Sequence, residues 1–145
     1  MDAKEYLNQI KVYNIRIRQM QEELARLESI ANSTTGGISP DKVQTSPDSA
    51  RREKAIVRMA DLKKKITAMI IEQEEKRIDI VNKIHELSDP RYIEILYLRY
   101  VKEIRVEDIA DVMVKPDGSE YSVDHLNRLH GQALNAFREI YRSAE

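Results

Sequence analysis

Apolar side chains that recur every three or four residues constrain the fold of this chain more than any other feature of its sequence. Between residues 3 and 31 they fall at Tyr6, Ile10, Tyr13, Ile17, Met20, Leu24, Leu27 and Ala31. This narrow stripe is typical of a helix that packs against another helix in a coiled coil. The same spacing returns in a second segment, at Ala55, Met59, Leu62, Ile66, Met69 and Gln73. The pattern predicts two long helices that pair with each other.

Residues 32–48 separate the two segments and interrupt the repeat with paired glycines, two prolines and six Ser or Thr residues. Such a composition cannot continue a helix and is typical of a surface linker. At its end, Ser46 is a suitable helix cap and Pro47 suits the first helical position. We therefore expect residues 1–88 to form a long antiparallel coiled-coil hairpin with its linker at 32–48.

The composition also favours an all-α protein, because 34% of the residues are charged and the chain has one Phe and no Trp. Without cysteine, the chain can form neither a disulfide framework nor a thiolate metal site. The sequence indicates neither a signal peptide nor an apolar run of about 20 residues, the length that crosses a bilayer. A soluble cytoplasmic protein without a membrane partner is the expectation.

The C-terminal segment, residues 89–145, has the pattern of a compact three-helix domain. Ser88-Asp89-Pro90 is a helix-start signal, and the following PRYIEILYLRYV is apolar on most sides, as in a buried central helix. A short helix, VEDIADVM, turns its apolar side chains inward at Val106, Ile109, Ala110 and Met113. The last helix starts at the cap residue Ser122 and buries Leu126, Leu129, Ala133, Leu134 and Phe137. The short helix, the turn and the last helix predict a helix-turn-helix unit.

The exposed face of the last helix carries groups that bond DNA bases. The predicted DNA-binding residues on it are Val123, Asp124, His125, Asn127, Arg128 and Gln132. In the major groove, Asn and Gln can form two hydrogen bonds with adenine, and Arg can form two with guanine. A recognition helix contacts bases with its N-terminal residues, which is where these side chains lie.

The charge of this segment opposes a general affinity for nucleic acid. The net charge of the chain is −1, and residues 89–145 carry eight Lys or Arg against eleven Asp or Glu. Affinity for the phosphate backbone should therefore be modest unless the positive charges share one face.

Three segments of the C-terminal domain resemble the promoter-reading fourth conserved region of sigma-70-type factors: IEILYLRY, VEDIADVM and YSVDHLNRLHGQAL. When DKVQTSP and the long helix after it are added, the chain is similar to the sigma-like late-gene transcription regulators of phages and prophages of Gram-positive bacteria, of the RinA/ArpU type. The resemblance implies double-stranded DNA as the ligand, a bacterial host cell as the location, and a contact with host RNA polymerase.

Two departures from the sigma pattern limit what the resemblance implies. An insertion, Val114–Tyr121, stands between the motif helices where sigma factors have a short turn. It contains Lys115-Pro116-Asp117-Gly118, a type I turn signature. Lys115 could contact phosphate there, although a tolerated surface insertion is the favoured interpretation. The base-reading Arg, Glu, Arg and Gln of the family fall on Val123, Asp124, Asn127 and Arg128, so the promoter specificity of sigma factors is not expected.

No residue pattern indicates catalysis, a metal or a cofactor. His125 and His130 are five residues apart on one helix and point in different directions, so they do not form a zinc site. Asp108 and Asp111 lie on a helix surface without the pocket that acid–base chemistry needs. The chain has no Gly-rich phosphate loop and no nucleophile motif. We therefore do not expect an enzyme.

The leading hypothesis is a transcription regulator that docks its last helix in the major groove as a homodimer held by the N-terminal helices. A small terminase subunit, which also joins a helix-turn-helix to helical oligomerisation elements, is an alternative that ring-shaped oligomers in light scattering would favour. A protein-interaction module that kept the fold and lost its DNA affinity is a second alternative. Binding to duplex without salt dependence would argue for that module.

Overall fold

The computed structural model describes residues 1–33 and 47–144, and its regular structure is helical, which confirms the predicted all-α class. The helices are α1 Ala3–Leu7, α2 Gln9–Ala31, α3 Pro47–Ile84, α4 Pro90–Leu96, α5 Val106–Ile109 and α6 Val123–Ser143. A π-helical turn, Tyr97–Val101, continues directly from α4. Within the described residues the only β-type pairing is one antiparallel bridge, between Val114 and Glu120.

The first heptad segment forms two helices instead of the single helix expected, with Asn8 between them. A capping box fixes the start of α1. The Asp2 carboxylate accepts a hydrogen bond from the Glu5 backbone N–H, and the Glu5 carboxylate accepts one from the Asp2 backbone N–H. Because the Asn8 backbone N–H still donates to the Lys4 carbonyl, the interruption is limited to one residue.

The longest helix is α3, with 38 residues, which begins at Pro47 and has Asp48 in its first turn. Proline suits this position because the first N–H groups of a helix have no partner within the helix. The Asp48 carboxylate lies near the positive end of the helix dipole. The expected cap, Ser46, and residues 34–46 of the predicted linker lie outside the described residues.

The chain divides into two compact units, one comprising Met1–Tyr13 and Gln73–Glu145, the other Asn14–Glu72. The sequence pattern placed the boundary at residue 88 instead. The division differs because the start of the predicted hairpin, at Tyr6 and Leu7, and its end, at Ile84, belong to the same core cluster as the C-terminal helices.

The core of the first unit combines α1, the first turns of α2, the end of α3, and all the later helices. Its most deeply buried side chains include Leu7, Ile10, Ile80, Ile84, Ile95, Leu96, Ile109, Leu126, Ala133 and Phe137. Burial of one such Leu, Ile or Phe side chain contributes about 1.5–3 kcal/mol relative to exposure. The three C-terminal helices therefore do not make this core by themselves, because α1 and the end of α3 complete it.

In the second unit, α2 and α3 lie side by side and run in opposite directions. Successive clefts along them pair Ile30 with Arg51, Leu27 with Ala55, and Glu23 with Leu62. Leu27 and Ala55 are buried where the helices meet, as are Ile17 and Ile66 further along their respective helices. These four buried residues are all positions of the heptad pattern in the sequence.

Over residues 1–33 and 47–144, no helix combines the length and the apolar character that a membrane span requires.

Candidate nucleic-acid interface

The helix that supports the interface is α4 with its π-helical turn. The Asp89 carboxylate caps α4 by accepting a hydrogen bond from the Arg91 backbone N–H at 2.9 Å, and Pro90 follows at the first helical position, as the sequence predicted. Ile95 and Leu96 are fully buried. The wider π-helical winding then begins, and it closes with a hydrogen bond from the Lys102 N–H to the Tyr97 carbonyl at 3.0 Å. Such turns are frequent at functional sites.

The short helix α5 packs its apolar side against α6. Ile109 and Met113 are buried, whereas Val106 and Ala110 are partly buried, so all four predicted inward positions contact the core. The regular helix is shorter than the sequence indicated and ends at Ile109, with a further turn closed by the Met113 N–H on the Ile109 carbonyl at 2.9 Å.

The insertion between α5 and α6 forms the turn that its sequence predicted. The Gly118 N–H donates to the Lys115 carbonyl at 2.8 Å, and Gly118 has φ +86°, a conformation that favours glycine. The Lys115 Nζ lies 5.6 Å from the centre of the Tyr121 ring, while the His125 ring meets that same ring edge-on at 5.0 Å. Lys115 and His125 are therefore half-buried against the buried Tyr121, and they lie away from the exposed polar face of α6.

The frame of α6 is the one that its sequence predicted. Its cap is Ser122, whose hydroxyl accepts a hydrogen bond from the His125 N–H at 3.1 Å. The side chains predicted to face the core are all buried: Leu126, Leu129, Ala133, Leu134 and Phe137. Because these residues are fixed on α4, α5 and α1, the opposite face of α6 is held outward.

The outward face carries most of the predicted DNA-binding residues. Asp124, Asn127, Arg128 and Gln132 are exposed, and none of the four makes a side-chain hydrogen bond or ion pair with another described residue. Val123 is 38% exposed at the first position of the helix. Amide and guanidinium groups that find no partner within the chain are available to a ligand.

The charges around this helix are not evenly distributed. Residues 103–124, which contain α5, the insertion and the start of α6, carry seven Asp or Glu and two Lys or Arg. One of those two, Arg105, is paired with Asp108 at 3.2 Å. Residues 125–144 carry three arginines and one acid. The acidic excess of the domain is therefore concentrated in the segment that leads into α6.

A second set of side chains along α6 was missed by the sequence reasoning. The Nε2 of His130 lies 2.8 Å from the Tyr100 hydroxyl, and the two rings are stacked at 5.6 Å. The Arg99 guanidinium lies 5.8 Å from the centre of the Tyr100 ring. Burial, reinforced by the positive charges of Arg99 and Lys4, lowers the pKa of His130.

The position of Lys4 depends on α1, which packs on α6. The Tyr6 ring is stacked on Phe137 at 6.2 Å and contacts Tyr141 at 5.2 Å. The Tyr6 hydroxyl donates a hydrogen bond to Asp79, near the end of α3. Burial and this hydrogen bond raise the pKa of Tyr6, so the phenol stays protonated as a donor. No local pattern in the sequence indicated these contacts.

Within the part of the chain that the structure describes, no group of three His, Cys, Asp or Glu side chains is arranged to hold a metal ion. Comparisons with models of protein families, with curated proteins and with solved structures gave no match to this chain. Function therefore has to be inferred from the residues themselves.

Proposed function

We propose that this chain is a DNA-binding transcription regulator, of the sigma-like phage or prophage late-gene type, that docks α6 in the major groove of double-stranded DNA. In this proposal α5, the Val114–Tyr121 insertion and α6 form the helix-turn-helix. Asn127 and Arg128 contact base edges, and Val123, Asp124 and Gln132 line the same contact. Host RNA polymerase is the proposed protein partner.

One observation carries the proposal. A capped helix is anchored through its whole apolar side, and the opposite side presents Asn127 and Arg128 without any partner in the described chain. These two side-chain types form the commonest two-bond contacts with adenine and guanine. Rigid support of such groups is what base recognition needs, because a helix fixed in one orientation loses little freedom on binding.

We further propose that two copies associate through the α2–α3 unit, which acts as an antiparallel coiled-coil hairpin. Ile56, Val57, Ile70 and Ile71 of α3 are between 44% and 62% exposed, although aliphatic side chains of this size favour burial. They lie off the side of α3 that meets α2, so a second copy can cover them. A dimer would contact two half-sites about one helical turn apart, or a multiple of that spacing.

A protein-interaction module is the second candidate, and the surface at the start of α6 favours it. Val112 and Val114 are 51% and 57% exposed and lie within the acidic segment 103–124. Apolar side chains surrounded by carboxylates suit a basic protein surface better than a phosphate backbone. In this alternative the helix-turn-helix frame is kept and DNA is not the ligand.

Selection of bound duplexes from a random pool, at moderate salt, tests the proposal and the alternative together. A regulator should enrich a sequence motif with two half-sites in a fixed spacing. If the recovered duplexes share no motif and their affinity does not fall with salt, the protein-interaction module is the better function.

The proposed dimer has its own test in sedimentation equilibrium. Replacing Ile70→Glu together with Ile71→Glu should give monomers, because two charges would be buried without partners at the interface. A control pair on the other side of the same helix, Lys54→Glu with Lys65→Glu, introduces two carboxylates away from these isoleucines and should leave the association state unchanged. Dimers that persist in the Ile70/Ile71 variant would exclude this face of α3.

A further inference from the structure

Three positively charged side chains from three different elements lie along α6, toward the π-helical turn. Arg99 belongs to the π-helical turn, Lys4 to α1 and Arg138 to α6. Arg99 and Lys4 both lie near enough to act on the His130 imidazole, and Arg99 and Arg138 both act on the Tyr100 phenol. Arg99 thus lies against the stacked Tyr100–His130 pair, 5.8 Å from the centre of the Tyr100 ring, and Lys4 and Arg138 each lie within electrostatic range of one of the two rings.

None of these cations is in direct contact with a carboxylate. Among the residues that the structure describes, Lys4, Arg99 and Arg138 form no ion pair with a carboxylate. Arg138 donates only to the Asn135 side-chain oxygen, at 2.7 Å. Other arginines of the same unit do have carboxylate partners, such as Arg91 with Asp89 at 2.9 Å. A group of like charges that repel each other is relieved when an anion approaches.

Gly131 leaves open space beside this group. It lies in the middle of α6, where glycine costs about 1 kcal/mol relative to alanine. An added Cβ would meet no atom within 4 Å, so nothing within the described chain requires a glycine. Gly131 shares a side of α6 with Arg138, two turns further along, and with Asn127, one turn before. The backbone at Gly131 is therefore open on the same side of α6 as those two side chains.

We propose that Lys4, Arg99 and Arg138 contact the phosphate backbone of duplex DNA, and that Gly131 is the point at which the backbone comes closest to α6. This inference rests on the proposed function and adds to it the phosphate contacts that the acidic start of α6 cannot supply. Asn127 and Arg128 then contact bases beside a strand that these cations hold in place.

The arrangement fits a phosphate backbone better than a single small anion. The cations come from α1, the π-helical turn and α6, and none is buried: Lys4 and Arg138 are exposed and Arg99 is partly exposed. A small anion needs a closed set of donors, whereas a backbone that runs along a surface offers a phosphate to each cation in turn. Because Gly131 has no side chain, a DNA strand can come close to the backbone of α6 at this residue.

The test is a salt series on the full-length chain with a duplex recovered from the random pool, measured by fluorescence anisotropy. Each phosphate contact that is lost should reduce the slope of log affinity against log salt by about 0.9. Arg99→Gln and Arg138→Gln should each show that reduction, and they should weaken binding to unrelated duplexes to a similar degree. Arg91→Gln makes the same charge change at a paired arginine and should keep the wild-type slope.

The outcomes separate this inference from the function on which it rests. If the wild-type chain binds no duplex, the proposed function fails. If it binds with a clear salt slope, but Arg99→Gln and Arg138→Gln both keep that slope, the phosphate surface is wrong while DNA binding remains. If inorganic phosphate at constant ionic strength displaces the duplex, a single small anion is sufficient for this surface, and its assignment to an extended phosphate backbone is wrong.

Gly131 is tested by two variants that the fold should accept. Gly131→Ala and Gly131→Leu should raise the melting temperature, because both residues favour helix over glycine and the added Cβ meets open space. Both should nevertheless weaken duplex binding, Leu more than Ala. Variants that gain thermal stability and keep full affinity would show that no backbone approaches residue 131.

Discussion

The start of α6 and its middle rest on the same core but offer opposite surfaces. The start follows an acidic segment, residues 103–124, and both cations of that segment have partners. Arg105 pairs with Asp108, and Lys115 lies over the Tyr121 ring. The middle is adjoined by Lys4, Arg99 and Arg138, which form no ion pair with a carboxylate among the described residues. The acidic segment that precedes α6 and the cations beside its middle thus give the two parts of the helix different electrostatic surroundings.

This difference shows why the net charge of −1 is a poor guide to what the chain binds. Charges separated by more than about 8–10 Å are largely screened at physiological salt, so the local group decides the interaction. A ligand that carries both base edges and phosphates can use the two parts of α6 differently. Base contacts would come from Asn127 and Arg128, and phosphate contacts from the cations beside the middle.

The largest effect is expected from the core beneath the middle of α6. Phe137 is fully buried and its ring is stacked near Tyr6 and Tyr141, so Phe137→Ala should lower the free energy of unfolding by about 3–5 kcal/mol. Val123→Ala, at the exposed start of the helix, should change it by less than about 0.5 kcal/mol. Chemical denaturation measures both. Equal losses would mean that the two parts of α6 do not differ in how they are anchored.

A smaller effect, on binding, should separate base contacts from phosphate contacts. Arg128→Ala should weaken binding to the selected duplex by about 1–3 kcal/mol and relax the base preference at one position. Unrelated duplexes should be bound almost as before, in contrast to Arg99→Gln. Arg142→Ala, at the far end of α6 and near Glu139 at 3.7 Å, is the control. A uniform loss on all duplexes would place Arg128 among the phosphate contacts instead.

The sequence predicted those features of the domain that depend on residues close together in the chain. Ser122 as a cap and the buried ridge from Leu126 to Phe137 follow from hydrogen bonds and spacing within one helix, and both are found. Asp89 and the Lys115–Gly118 turn are local in the same sense. Each depends on residues that are close together in the chain, so a pattern of a few residues is sufficient to predict it.

The cationic middle could not be predicted in this way. Tyr6 meets Asp79 across 73 residues of chain, and Tyr100 meets His130 across 30. Heptad spacing assigned Tyr6 to a hairpin partner, because a periodic pattern shows which face is apolar and not which element covers it. Whether Lys4 reaches α6 depends on that choice of partner, as does the environment of His130.

A still smaller change should come from the cap at the start of α6. Ser122→Ala removes the hydroxyl that accepts from the His125 N–H, which should lower the free energy of unfolding by about 0.5–2 kcal/mol. The first turn carries Val123 and Asp124, so specific binding should weaken while the salt slope stays at its wild-type value. Ser143→Ala, near the end of the helix, should cost less. A reduced salt slope in Ser122→Ala would contradict the separation of the two surfaces.

The smallest effect concerns acid titration of the middle of α6. His130 has a lowered pKa, mainly because it is buried beside Tyr100 and also because Arg99 and Lys4 are near. The folded chain therefore binds fewer protons at this site than the unfolded chain, and stability rises with pH across this window. Acidification from above pH 6.5, the ordinary value, should lower the free energy of unfolding until the pH passes the lowered pKa. Asp79, Asp89 and Asp117 also have lowered pKa values, but from an ordinary value of 3.8, so their contribution is lost only in stronger acid.

His130→Gln keeps a group that can bond the Tyr100 hydroxyl but does not titrate, so its unfolding free energy should be flat across the same window. The exposed His85 is the matched control, and His85→Gln should keep the wild-type profile. Urea denaturation at a series of pH values measures all three chains. A profile that His130→Gln leaves unchanged would mean that the imidazole is not held neutral by its surroundings.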